Sequence, residues 1–149
     1  MKVALLGFGT VGVGVYGMLD GAYGLEQGPV LVRPGKDDSS FKVTEIEKIV
    51  NDPSVGAVAE VMGGIEPAYT YVSAALAAGK HVVTSNKALV AAHGPELAEL
   101  AEKNNVAFLF SAACGGGVPF LHNLSLATGS DKILEYSKIV VTLFSIKLF

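Results

Sequence analysis

At 149 residues, half of them hydrophobic and 17% charged, the chain can build one domain with a real core and is too short for two domains of ordinary size. A formal net charge of −3 without a polybasic run leaves no electrostatic footprint for a nucleic acid, and a single cysteine, Cys114, excludes an internal disulfide. No apolar run approaches the roughly 18 residues of a membrane-spanning helix, and the first residues enter a strand pattern without a secretory leader, so the expectation is a cytoplasmic protein with no membrane or nucleic-acid partner.

Val3-Ala4-Leu5-Leu6 is a continuous apolar run ending in glycines, the pattern of a strand buried on both faces. A helix is predicted from about Thr10, weakened by Gly12, Gly14 and Gly17, each of which costs roughly 1 kcal/mol relative to alanine. Residues 21–28 read as a loop and Val30-Leu31-Val32 as a second strand, stopped by Arg33-Pro34-Gly35. Lys36-Asp37-Asp38-Ser39-Ser40 is polar and expected to be mobile. Ile46, Ile49 and Val50 fall at helical spacing in a short helix that Asn51-Asp52-Pro53 ends, and a strand is predicted over 57–61. After a loop at Met62-Gly63-Gly64, Pro67 suits the first turn of a helix whose apolar face is Val72, Ala75 and Leu76 and whose stop signal is Gly79. A strand at 80–84, a helix over 95–104 and a strand at 107–110 complete the pattern.

Strands alternating with helices imply an α/β fold, a doubly wound and mostly parallel sheet with helices on both faces. Gly7-Phe8-Gly9-Thr10-Val11-Gly12 places a G-x-G-x-x-G fingerprint between the first strand and the first helix, the position it holds in Rossmann-like dinucleotide-binding folds. Gly7 permits the tight turn, Gly9 lets the backbone approach a pyrophosphate, and Gly12 lets the helix pack closely on the strand. Backbone amides at the helix start would receive the anion. The expected cofactor is therefore NADP or NAD. The acidic ribose ligand usual in NAD sites is replaced by Arg33, which can pair with the 2′-phosphate of NADP, while Asp37 and Asp38 stand close enough to serve a ribose, so the preference stays open.

Two further segments, Glu60-Val61-Met62-Gly63-Gly64-Ile65-Glu66-Pro67-Ala68 and His81-Val82-Val83-Thr84-Ser85-Asn86-Lys87-Ala88, follow predicted strands and fall on the carboxyl edge of the sheet, where open α/β folds bind ligands. Met62, Gly63, Gly64, Thr84, Ser85, Asn86, Lys87, Cys114 and Gly115 are candidate cofactor contacts. Lys87 is the candidate catalytic residue, because an ammonium at that edge can donate to a carbonyl oxygen; the bland alternative is a solvated lysine at a helix start. Cys114 and Gly115 lie in a glycine-rich segment, and a lone cysteine there reads as a small buried apolar residue rather than a nucleophile. His81, His93 and His122 are too scattered for a metal site.

Residues 3–12, 60–68, 80–89 and 112–119 together resemble homoserine dehydrogenases, in the same order along the chain, and the similarity runs from residue 2 to about 134. The resemblance implies NAD(P)-dependent interconversion of L-aspartate 4-semialdehyde and L-homoserine, in the pathway to threonine, methionine and isoleucine, with a small-molecule substrate and a possible homo-oligomer. It puts Lys87 near substrate and nicotinamide, and Gly115-Gly116-Gly117-Val118-Pro119 beside the cofactor. The chain departs from the family in being short between residues 20 and 44, in carrying Ser111 where glutamate is common, and in carrying His122 where arginine is frequent. It reads as an NAD(P)-binding domain over 1–135 and an atypical tail over 136–149, where Lys138-Ile139-Val140-Val141-Thr142-Leu143 replaces the segment leading to a substrate domain, so the substrate domain is expected to be missing or incomplete. Two other readings stay open: an aspartate dehydrogenase-like enzyme on the same scaffold, and a nucleotide-binding module without turnover.

Overall fold

The computed structural model describes residues 1–115. Six strands form one sheet: β1 (Lys2–Leu6), β2 (Glu26–Leu31), β3 (Lys42–Val43), β4 (Val55–Glu60), β5 (His81–Thr84) and β6 (Phe108–Leu109), in the order β3-β2-β1-β4-β5-β6 with every pair parallel. Five helices connect or follow them: α1 (Thr10–Met18), α2 (Glu47–Val50), α3 (Ala68–Ala77), α4 (Lys87–Lys103) and α5 (Ser111–Gly115). The expected boundary at residue 135 and the tail after it lie outside the described residues.

Alternation along β1 divides the core. Val3 and Leu5 pack with Leu19, Val30 and Ala59 on the face that α1 covers, with Val15 and Tyr16 against them. Ala4 and Leu6 join Ile49 of α2, Val72 and Leu76 of α3, and Leu89 and Leu97 of α4 on the other face. Leu5 and Leu6 are wholly buried, each worth roughly 2 kcal/mol of transfer free energy. The chain leaves β1 toward β2 and β3, then returns to start β4 on the other side of β1. The direction of winding therefore reverses between β1 and β4, which opens a crevice beyond their carboxyl ends.

Several elements differ from the sequence expectation, among them α5, for which no helix is predicted. β2 begins at Glu26, inside the predicted loop, because Gly28 lets the strand press against β1: a β-carbon at residue 28 would lie 2.8 Å from the Val3 carbonyl oxygen. The register shifts between Val3 and Leu5 at this point, the irregularity that accommodates Pro29 within a paired strand. β3 is a two-residue strand for which the sequence carries no periodic signal. α4 starts at Lys87 rather than 95, because the Asn86 side chain caps it by accepting from the Leu89 amide at 3.2 Å, and Pro95 lies inside the helix.

Both long helices on the second face end as Schellman motifs. After α3, Gly79 has φ +74, its amide donates to Leu76 O at 3.1 Å and the Lys80 amide to Ala75 O at 3.0 Å. After α4, Asn105 takes the same role at φ +55, with Asn105 N donating to Glu102 O and Val106 N to Ala101 O, both at 3.0 Å. The turn out of α3 is pinned further by buried Lys80, whose Nζ donates to the carbonyls of Asp52 at 2.8 Å and Val55 at 2.9 Å.

Candidate functional site

The carboxyl ends of the central strands are held level by three backbone hydrogen bonds: Gly7 N to Leu31 O at 3.0 Å, Val61 N to Leu6 O at 3.0 Å and Ser85 N to Glu60 O at 3.3 Å. Beyond them lies a cleft of about 630 Å³, within the range of small-molecule and cofactor sites. Its floor is Gly7, Phe8 and Gly9 after β1, and one wall is Val61, Met62 and Gly63 after β4 with Pro67 and Tyr71 at the start of α3. Leu31, Val32, Arg33, Pro34 and Lys36 after β2, with Asp38, Lys42 and Thr44 around β3, form the far end.

Gly7 turns the chain at φ +102, a conformation that side chains disfavour. Gly9 is the N-cap of α1, extended at φ −84 and ψ −163, and no side chain caps this helix. A β-carbon at Gly9 would meet nothing within 4 Å, and no side chain caps the first amides of α1. This is the cradle that a dinucleotide pyrophosphate requires, and the residues present fit that group. Thr10 and Val11 are exposed on the first turn and Gly12 is buried beneath it; none of the three lines the cleft with a side chain.

Phe8 is fixed in an aromatic cluster, edge-on to Tyr16 and Phe41 with ring centroids 5.7 Å apart in both pairs, while Tyr16 and Phe41 stack at 5.0 Å. The Lys42 ammonium sits over the Phe8 ring at 5.1 Å and pairs with Asp38 at 2.5 Å. That hydrogen bond from Lys42, with its charge, holds the Asp38 carboxyl below the usual carboxylate range. Arg33 and Lys36 are exposed at the same end, so three cations and one carboxylate border it. Asp37 instead turns back and accepts from the Gly35 amide at 3.2 Å.

The structure brings Gly7, Phe8, Gly9, Arg33, Met62 and Gly63 together around the cleft. Gly64 (φ +78), Thr84, Ser85, Asn86 and Lys87 lie at the neighbouring carboxyl edge of β4 and β5, outside the cleft lining. Thr84 and Asn86 are buried, and their polar atoms are engaged within the protein: the Thr84 hydroxyl donates to Glu60 at 2.5 Å and accepts from the Asn86 amide at 2.9 Å. Lys87 is exposed on the first turn of α4. Cys114 is buried on α5, which Gly115 ends, and the rest of that glycine segment lies outside the described residues. Among the described residues no group of three or more His, Cys, Asp or Glu side chains is placed to hold a metal ion. No helix among them is long and apolar enough to cross a membrane. Sequence reasoning missed Lys42, Thr44 and Tyr71, whose place at the cleft follows from strand order rather than from any local motif.

A family profile described as homoserine dehydrogenase, NAD binding domain, matches residues 7–111, from the first fingerprint glycine to the start of α5. The chain belongs to this family. Homoserine dehydrogenase of Lactococcus lactis subsp. lactis is 40% identical over 152 residues, covering 89% of this chain and 35% of the relative, and that of Synechocystis sp. is 39% identical over 146 residues, covering 89% and 34%. The crystal structure of a homoserine dehydrogenase from Thiobacillus denitrificans superposes with a TM-score of 0.72 at 36% identity, covering 83% of this chain and 32% of that one. This homoserine dehydrogenase-family chain thus spans about a third of the length of the relatives it matches, and the matched third is the NAD(P)-binding Rossmann-like domain.

Proposed function

We propose that this domain serves an NAD(P)-dependent homoserine dehydrogenase, which interconverts L-aspartate 4-semialdehyde and L-homoserine. The observation that carries the proposal is the uncapped start of α1 above Gly9, opening into a cleft at the reversal between β1 and β4, in a chain of this family. The bound nicotinamide supplies the exchangeable hydride. The protein's part is to hold it: amides of residues 9–12 take the pyrophosphate, Gly63 and Gly64 allow a ribose or ring to pass close to the backbone, and Met62 supplies an apolar contact. Lys87, and beyond it Cys114 and Gly115, are assigned to the nicotinamide end, where the Lys87 ammonium donates toward the substrate carbonyl and stabilises charge developing there.

Arg33, Lys36 and Lys42 support a preference for NADP, since guanidinium and ammonium groups at the ribose end match a 2′-phosphate and the one carboxylate among them is already paired. Titration of the chain with NADPH and NADH by fluorescence or calorimetry tests both parts. Saturable binding with NADPH tighter is expected. An absence of binding to either dinucleotide refutes the assignment of the cleft.

A further inference from the structure

Glu60 ends β4 with no exposed surface, yet donors converge on its carboxylate from two chain segments. From the loop after β4, Met62 N donates to Oε1 at 2.7 Å and Gly63 N at 3.4 Å. From the turn after β5, the Thr84 hydroxyl donates to Oε2 at 2.5 Å, and Asn86 Nδ2 reaches Oε1 at 3.5 Å. Asn86 joins the two segments a second time: Nδ2 donates to Gly64 O at 2.6 Å while Oδ1 accepts the Leu89 amide that starts α4. The loop at 62–64 needs such a tether, because Gly63 and Gly64 at φ +83 and +78 give it little conformational preference of its own. The neighbouring residue on the other side is Lys87, on the first turn of α4.

We propose that Glu60 is a positioning residue that locks the Met62–Gly64 loop and the Asn86–Lys87 turn into one unit. It thereby sets the spacing between backbone that borders the dinucleotide and the ammonium assigned to the substrate carbonyl. This role rests on the dinucleotide reading above, whereas the mechanical linkage can be measured without any ligand. Four donors share one fully buried carboxylate, so a change on either side leaves a buried polar group without its partner and is felt on the other.

The test is amide hydrogen exchange on the whole chain, read residue by residue, with NADPH affinity measured in parallel. Thr84→Val touches neither Met62 nor Gly63, yet exchange at those two amides is expected to quicken at least tenfold, while amides in the middle of α3 keep the parent rate. Glu60→Gln, which leaves a single carbonyl oxygen for four donors, is expected to quicken exchange at Met62, Gly63 and Leu89 together and to weaken NADPH binding at least fivefold. Asn86→Ser keeps a capping oxygen for Leu89 but loses the tether to Gly64, so Leu89 stays protected while NADPH affinity falls. Should Glu60→Gln fail to fold, Thr84→Val and Asn86→Ser carry the test. Quickening confined to the mutated side, or spread evenly over the whole protein, overturns the proposal. Linked exchange in a parent chain that does not bind NADPH would instead leave the linkage standing and overturn the dinucleotide reading.

Discussion

Gly12 lies directly beneath the carbonyl of Gly7: a β-carbon at residue 12 would stand 2.5 Å from that oxygen, whereas one at Gly9 would meet nothing within 4 Å. The two glycines therefore answer to different demands, one to packing of α1 on β1 and the other to space above the turn. Gly12→Ala is expected to destabilise the fold by about 1–3 kcal/mol, since backbone must move to relieve the overlap. Gly9→Val should leave the melting temperature nearly unchanged and weaken NADPH binding at least tenfold. Thermal melts and calorimetry on the two variants separate the effects, and a Gly9→Val protein that keeps parental affinity would contradict the pyrophosphate assignment.

Arg33 and the Asp38–Lys42 pair give opposite expectations for cofactor choice. Arg33→Ala should weaken NADPH about tenfold and NADH less than twofold, because only the former offers a phosphate to the guanidinium. Asp38→Asn should strengthen NADPH binding by freeing Lys42. The Lys42 hydrogen bond lowers the Asp38 pKa in the folded state, so the pair's contribution is complete above the ordinary carboxylate pKa and is lost as pH falls through the lowered value. On the acid side, parental NADPH affinity should therefore gain a component, as Lys42 is released, that Asp38→Asn lacks. Parallel pH profiles for the two proteins would dismiss Asp38 as a determinant.

Lys87 is exposed, and among the described residues no hydrogen bond or ion pair ties its ammonium down. Lys87→Ala should consequently leave the melting temperature and NADPH affinity close to parental. Under the proposed function, the same change in an active enzyme containing this domain is expected to lower kcat on the order of 10²-fold, the usual cost of one donor to a developing oxyanion. Retention of kcat within threefold would remove Lys87 from the reaction.

Pro95 sits in the middle of α4, where it can donate no backbone hydrogen bond. An interior proline costs roughly 3 kcal/mol relative to alanine, offset by about 1 kcal/mol from restricting the unfolded chain. Pro95→Ala is therefore expected to stabilise the domain by about 2 kcal/mol in chemical denaturation. A decrease in stability would mean that α4 depends on a bend that the proline imposes.

Pro95 also explains where the sequence was hardest to read. A proline after Gly94 looks like a helix start, and only the Asn86 side chain, capping the Leu89 amide in three dimensions, reveals the eight residues that precede it. The fingerprint, the central strands and the stop at Gly79 were legible because glycine placement and continuous apolar runs are local signals. β3 was not, since two residues carry no period. At the site, Gly7 to Gly9, Arg33 and the Met62-Gly63 pair could be named from their position after strands. Lys42 and Tyr71 could not, because they reach the cleft only through the order in which strands assemble. The buried partnership of Glu60 with Thr84 and Asn86 was invisible for a similar reason: its members stand 24 and 26 positions apart and meet through the β4–β5 register.

The central place of β1 has a consequence for how the chain reaches this state. Lys2 pairs with Glu26 on one side and Val55 on the other, so β1 leaves the ribosome before either of its neighbours and waits for both. Until β4 is synthesised, β1 presents an apolar edge with unpaired amides and carbonyls, the kind of template on which nascent chains associate. Sheet closure should be slow relative to helix formation, since parallel pairing joins only distant segments. Chaperone dependence during synthesis should accordingly fall off once residue 60 has emerged.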